Sequence, residues 1–98
     1  MFEIRMGEQG EIIMTGRLDA AQCDKALQFM DGVPVPRVVD LTGLDYVSSA
    51  GLGVLLKTQK RVMASGQGLR PVNANKHIRD IFKYAGFDRI FEIVPAGS

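Results

Sequence analysis

The feature that most constrains the fold is the run Arg37-Val38-Val39-Asp40-Leu41, followed shortly by Ser48-Ser49-Ala50-Gly51-Leu52-Gly53 and a long stretch of helical period. The run is β-branched and nearly continuous, as expected of a central strand covered on both faces. The later stretch predicts a helix whose apolar stripe is Leu52, Leu55, Leu56, Gln59, Val62 and Met63, with Lys57, Lys60 and Arg61 opposite and Ser65-Gly66 closing it. Thr42 to Val47 reads as the loop between them. A buried strand feeding a helix in this way calls for a layered α/β arrangement.

The flanking segments repeat the alternation. Phe2, Ile4 and Met6 alternate with Glu3 and Arg5, a glycine-bounded turn follows over Gly7 to Gly10, and Ile12-Ile13-Met14 completes a hairpin that Gly16 is expected to end. Asp19-Ala20-Ala21-Gln22 has the form of a capping box and predicts a helix from Ala20, with Cys23, Ala26, Leu27 and Met30 inward, stopped by Gly32, Pro34 and Pro36. Leu69 to Val72 is a short strand placed toward an edge, because Pro71 cannot donate to a ladder. Asn75 can cap a further helix with Ile78, Ile81, Phe82 and Ala85 inward, Lys76, Arg79 and Lys83 outward, and Gly86 beyond its end. Ile90 to Val94 reads as a last strand or docked extension, and Pro95 to Ser98 should fray. The expected fold is therefore α/β: one domain over residues 1–98, with a mixed sheet of four to five strands and helices packed against it. All five Phe residues are assigned to the core.

Composition narrows the function classes. With 98 residues, 46% of them hydrophobic, the chain has one core's worth of apolar surface. A single Cys and a single His supply neither a zinc ligand set nor a disulfide, so no metal or cofactor is expected, and the free thiol fits a reducing compartment. No apolar run approaches the roughly 20 residues of a membrane span, and no basic stretch precedes an apolar one near the start. The expected location is the cytoplasm. Residues 1–48 carry four basic and eight acidic side chains, residues 49–98 eight basic and three acidic; within a net charge of +1 this reads as solvated helix faces rather than a nucleic-acid surface.

Enzymatic motifs fail one by one. Ser49 has Val47 where a nucleophile elbow needs Gly, no Gly-Lys-Ser/Thr follows a glycine in phosphate-loop register, and Leu56 stands where a dinucleotide fingerprint after Gly51 and Gly53 needs its third glycine. His77, at a helix start, has no paired acid by spacing. Asp19 reads as a cap, and Asp40 and Asp45 as loop acids. Ser49 remains, at or beside a helix N-cap, where free amides and the helix dipole favour a phosphate; the alternative is that Ser48 and Ser49 only cap the helix.

Four segments in this order, Gly16-Arg17-Leu18-Asp19-Ala20, Val38-Val39-Asp40-Leu41-Thr42-Gly43-Leu44, Ser49-Ala50-Gly51-Leu52-Gly53-Val54-Leu55-Leu56 and Gly86-Phe87, resemble the successive signatures of the STAS domain. Within it, the chain resembles the bacterial anti-sigma factor antagonists, from about Phe2 to Ile93. The resemblance implies a non-catalytic binding module of transcription regulation. Its partner would be an anti-sigma factor that is also a serine protein kinase of the histidine-kinase-like ATPase fold, with a phosphoserine phosphatase to reset it. Ser49 matches the phosphoacceptor and Asp19 the acidic residue of the partner-facing loop, and Ser48, Ala50, Gly51 and Leu52 complete the implied partner-binding segment. Well-known members carry Asp where this chain has Ser48, and Ser or Thr where it has Ala50, which makes Ser48 a second candidate acceptor. STAS domains also serve in stress-sensing assemblies, transporter tails and lipid-transport systems, so a constitutive subunit without a phospho-switch is the alternative. An enzyme using Ser49 and His77 is the third reading.

Overall fold

The computed structural model describes the chain except residues 35, 65, 67, 92, 93 and 96–98. β1 (Phe2–Met6) and β2 (Ile12–Leu18) form the expected antiparallel hairpin, closed by Gly7 N to Glu11 O at 2.7 Å. Gly16 does not end β2. It continues the strand at φ +86°, because a Cβ there would fall 1.8 Å from the Met1 carbonyl oxygen, and Arg17 N donates to that same oxygen at 2.9 Å.

A 3-10 turn (Ala20–Gln22) then leads into α1 (Cys23–Asp31). The helix was expected from Ala20; it starts later because the Asp19 carboxylate makes no capping bond and only its carbonyl receives Gln22 N, at 3.1 Å. Ala26 and Met30 are buried, while Cys23 and Leu27 pack half-buried on the core.

β3 (Val38–Val47) runs straight through the segment expected to be a loop. Its buried residues are Val39, Leu41, Leu44 and Val47, a spacing of two and then three. The parallel register with β2 slips between Ile13 and Thr15 and again between Gly16 and Arg17. Each slip adds a residue to β3 and returns an apolar side chain to the same face. The first slip is tied by Asp40, whose Oδ1 accepts from Thr42 N (2.9 Å), Thr42 Oγ1 (2.6 Å) and, across to the next strand, Asn73 Nδ2 (3.4 Å). Burial acts to raise the Asp40 carboxyl, but the bonds from Thr42 and Asn73 outweigh it and hold the group below its usual range.

α2 (Ser49–Met63), β4 (Arg70–Ala74), α3 (Lys76–Tyr84), a 3-10 turn (Phe87–Arg89) and β5 (Val94–Pro95) complete a five-stranded mixed sheet in the order β1-β2-β3-β4-β5. β4 is not the edge strand expected from Pro71: it lies between β3 and the two-residue β5, and Pro71 is accommodated because the described pairing with β5 begins only at Val72. The apolar faces of the helices and the core-side residues of β2 and β3 form one cluster. The other sheet face is open: Ile13, Val38, Asp40 and Val72 are only half-buried, so β3 is not covered on both faces, and Val38 is not a core residue.

The buried side of α2 is also rotated from the expected stripe. Gly51, Val54, Leu55, Thr58, Gln59 and Val62 are buried, Leu52 and Leu56 are half-buried, and Met63 is 52% exposed. Gly51 accounts for the shift at the first turn, since a Cβ there would lie 2.8 Å from Leu18 Cγ and 2.9 Å from both Leu18 O and Val47 Cγ2. Gln59 is tolerated inside because its Oε1 accepts from Leu69 N at 2.6 Å and its Nε2 donates to Ile90 O at 3.0 Å. Arg61 reaches back to the end of α1, donating to the carbonyls of Met30 (2.7 Å) and Val33 (3.2 Å).

Asn75 caps α3 as expected, Oδ1 accepting from Ile78 N at 2.9 Å, and Gly86 follows the helix at φ +76°. Ile78 and Phe82 are buried and Ile81 is half-buried, but Ala85 is exposed at the helix end. Phe82 stacks with Phe87 and Phe91 at centroid distances of 5.8 and 6.5 Å, and Phe2 is buried, whereas Phe29 only packs against the core. Ile90 is 42% exposed and does not start a strand; the rest of the expected terminal extension lies partly outside the described residues. No helix among them is long and apolar enough to cross a membrane.

Candidate functional site

β2 and β3 are parallel neighbours, so their C-terminal ends emerge side by side. Leu18 pairs with Val47, both buried, and Ser48 N donates to Leu18 O at 2.9 Å. This bond sets Asp19 and Ser48 next to each other at the rim of the sheet. Cys23, the first residue of α1, closes the group: its Sγ donates to Asp19 O at 3.3 Å and lies against the Ser48 side chain.

The thiol of Cys23 is held above its ordinary range, first by burial and further by the negative charges of Asp19 and Asp24, with the Ser48 hydroxyl acting in the opposite direction. It stays protonated near neutrality, which is the wrong state for a nucleophile or a metal ligand. Among the described residues no group of three His, Cys, Asp or Glu side chains is placed to hold a metal ion.

The two serines have different environments. Ser48 is half-buried at the N-cap position (φ −82°, ψ 171°), and its Oγ accepts from Gly51 N at 3.1 Å. Leu52 N is taken by the Ser48 carbonyl at 2.9 Å. Ser49 is the first residue of α2 and is exposed, as is Ala50. Their amides belong to the opening turn, which has no intrahelical acceptors to offer, and they lie at the positive end of the helix dipole. Among the described residues none is bonded to the Ser49 hydroxyl or to the Ser49 and Ala50 amides, so the rim presents a free hydroxyl beside two uncommitted amides.

Of the residues singled out in the sequence, the structure gathers Asp19, Ser48, Ser49 and Ala50 at this rim. Gly51 and Leu52 are adjacent but turned inward, the first buried against Leu18 and Val47, the second packed on the core. Asp45 is exposed near the end of β3, whereas Asp40 belongs to the strand slip on the open sheet face. His77 is exposed in the first turn of α3, and no hydrogen bond links it to Ser49. The sequence reading missed Cys23 as a member of the group. Its spacing of four from Asp19 across a helix start was the available signal. It also missed Arg17, whose guanidinium carbon lies 4.4 Å from the centroid of the Tyr46 ring on the paired strand.

A parallel β-α array on an antiparallel hairpin, with a serine opening the helix after the central strand, defines the class. The family model described as "Mlab, STAS domain" matches residues 3–95, and the chain belongs to the STAS domain family. A relative in Bordetella bronchiseptica, BtrV, provisionally assigned as an anti-sigma factor antagonist, is 36% identical over 74 residues, which span 76% of this chain and 58% of BtrV. Among solved structures, a provisionally assigned anti-sigma factor antagonist of Thermotoga maritima superposes with a TM-score of 0.76 at 17% identity, covering 95% of this chain and 85% of that one. The Bacillus cell-fate determinant SpoIIAA in its phosphorylated form gives 0.64 at 16% identity, over 96% of this chain and 91% of SpoIIAA. The unphosphorylated anti-sigma factor antagonist SpoIIAA gives 0.65 at 16% identity, over 92% and 97% respectively.

Proposed function

We propose that this chain is an anti-sigma factor antagonist: a non-catalytic cytoplasmic binding module that holds an anti-sigma factor while Ser49 bears a free hydroxyl and releases it once Ser49 is phosphorylated. The observation that carries the reading is the division of labour between the two serines. Ser48 Oγ is committed to capping Gly51 N, which leaves Ser49 exposed, uncommitted and one residue inside the helix. BtrV supports the role, and SpoIIAA, known in both phosphorylation states, supports the switch.

The partner in this reading is an anti-sigma factor that is itself a serine kinase of the histidine-kinase-like ATPase fold. It transfers the γ-phosphoryl group of ATP to Ser49 Oγ: a P–O bond forms at Oγ, the bond to ADP breaks, and the hydroxyl proton leaves to a base of the kinase. The phosphate adds about −1.5 to −2 charges near neutral pH. Within the chain that charge is tolerated, because the helix dipole and the Ser49 and Ala50 amides favour an anion. Toward a partner it is not: the dianion joins Asp19 at the same rim, and a partner surface that fits one carboxylate and a hydroxyl meets about two to three negative charges instead. Like-charge contacts of this kind cost several kcal/mol, on the order of a hundredfold or more in affinity. A phosphoserine phosphatase restores the binding form.

The test is incubation with ATP and the serine kinase, read by intact mass and site mapping. One added phosphate on Ser49, absent from Ser49→Ala, supports the reading. A phosphate on Ser48 alone moves the switch to the neighbouring serine, and no phosphate on either leaves a constitutive STAS subunit in which both serines serve the helix only.

A further inference from the structure

Leu18 and Val47 are paired and buried, so the pair immediately before them, Arg17 and Tyr46, falls on the open side of the sheet, just behind the rim that carries Asp19, Ser48 and Ser49. Arg17 is exposed and lies over the half-buried Tyr46 ring, 4.4 Å from its centroid. Among the described residues it has neither a carboxylate partner nor a hydrogen-bond acceptor, although Asp19 follows two residues on, just past the end of β2, and Asp45 adjoins Tyr46 on β3. Stacking therefore fixes the guanidinium while leaving its fork of N–H donors to solvent. Lys25, the next cation along the chain, is directed elsewhere, its Nζ donating to the Phe2 carbonyl at 3.4 Å.

We propose that Arg17, held on Tyr46, is a second anchor of the interface built around Ser49, and that it receives a carboxylate of the anti-sigma factor. The inference rests on the functional reading above and adds to it the chemistry of the partner. Around this corner the chain presents Asp19, Asp24 and Asp45 as anions and Arg17 as a cation, so a fitting partner presents cations to the rim and one anion to the sheet corner. Arginine is suited to the second contact because its planar fork matches a carboxylate bidentately, and a stacked guanidinium loses little further freedom on binding. Tyrosine and arginine are also the side chains that most often dominate binding energy at interfaces. Behind the corner Ile13, Val38 and Val72 are half-buried, and among the described residues the helices pack on the opposite, core face of the sheet, so a partner seated on Ser49 extends onto the exposed Arg17.

The experiment is a titration of the serine kinase with wild type, R17A, R17K, Y46F and Y46A at two or more salt concentrations, with a thermal melt of each variant. Arg17→Ala should weaken binding at least tenfold, flatten the salt dependence of the affinity and leave the melting midpoint within a degree or two of wild type. R17K should recover only part of the loss, since a point charge lacks the fork. Y46F should behave as wild type, and Y46A should weaken binding because the guanidinium is no longer held. If wild type binds and R17A binds equally with the same salt dependence, the anchor is overturned while the functional reading stands. If wild type does not bind the kinase at all, the reading fails and the anchor falls with it.

Discussion

The two sides of the first turns of α2 share one short sequence and are governed by different constraints. On the inner side, Gly51 is a glycine because Leu18 and Val47 occupy the space a Cβ would need, and Ser48 is tied to the Gly51 amide. On the outer side, Ser49 and Ala50 are exposed, and a Cβ on Gly53 would meet nothing within 4 Å. The fold therefore accounts for the inner residues and leaves the outer ones without an internal reason. A glycine at a helix position with room for a side chain costs about 1 kcal/mol relative to alanine. In the proposed reading, that cost is offset by the close approach of the partner to this side.

Substitutions deep in the inner side should give the largest effects. Leu55 is 1% exposed, and Leu55→Ala should cost about 2–5 kcal/mol in urea melts through lost burial and a residual cavity. A loss under about 0.5 kcal/mol would mean that α2 does not present this side to the core.

The two glycines sharpen the comparison because the same substitution should change sign between them. Gly51→Ala should destabilise by about 2 kcal/mol, overpacking against Leu18 and Val47 outweighing the gain in helix propensity. Gly53→Ala should stabilise by about 1 kcal/mol and weaken partner binding. Paired thermal melts read both, and effects of the same sign would erase the distinction between the sides.

The serines should differ in the same direction but less. Ser48→Ala should lose about 1 kcal/mol as the cap on Gly51 N disappears. Ser49→Ala should stay within about 0.5 kcal/mol of wild type, since an exposed first-turn hydroxyl makes no bond the fold depends on. Equal losses in denaturant titrations would show both hydroxyls acting as caps.

Much of this was legible in the sequence wherever a local signal decided the outcome. The hairpin, the Asn75 cap, the glycine after α3 and the order of strands and helices follow from short-range patterns that tertiary structure did not override. The resemblance carried Ser49 and Asp19 to the rim. What was not legible depended on contacts between distant segments. β3 could not be followed to Val47 because its period changes at two slips that only the pairing with β2 creates. Gly16 looked like a strand end because its positive φ serves a contact with Met1 that no local rule announces. The stripe of α2 was misplaced because glycine and threonine carry little hydrophobic signal, yet Gly51 and Thr58 are buried. Cys23 was read as a core side chain, and its place beside Asp19 and Ser48 depended on the 3-10 turn that displaced the helix start.

The central claim is that charge on Ser49, and not a change of fold, controls the partner. Calorimetric titration of the serine kinase with four forms of the chain tests it most directly: unphosphorylated wild type, wild type phosphorylated on Ser49, Ser49→Ala and Ser49→Asp, with a melt of each. The account predicts tight binding by unphosphorylated wild type and Ser49→Ala, binding weaker by roughly a hundredfold or more for the phosphorylated form, weakened binding by Ser49→Asp, and folded protein in all four. Equal affinities across the four forms, or a loss of affinity explained by unfolding of the phosphorylated chain, would contradict it.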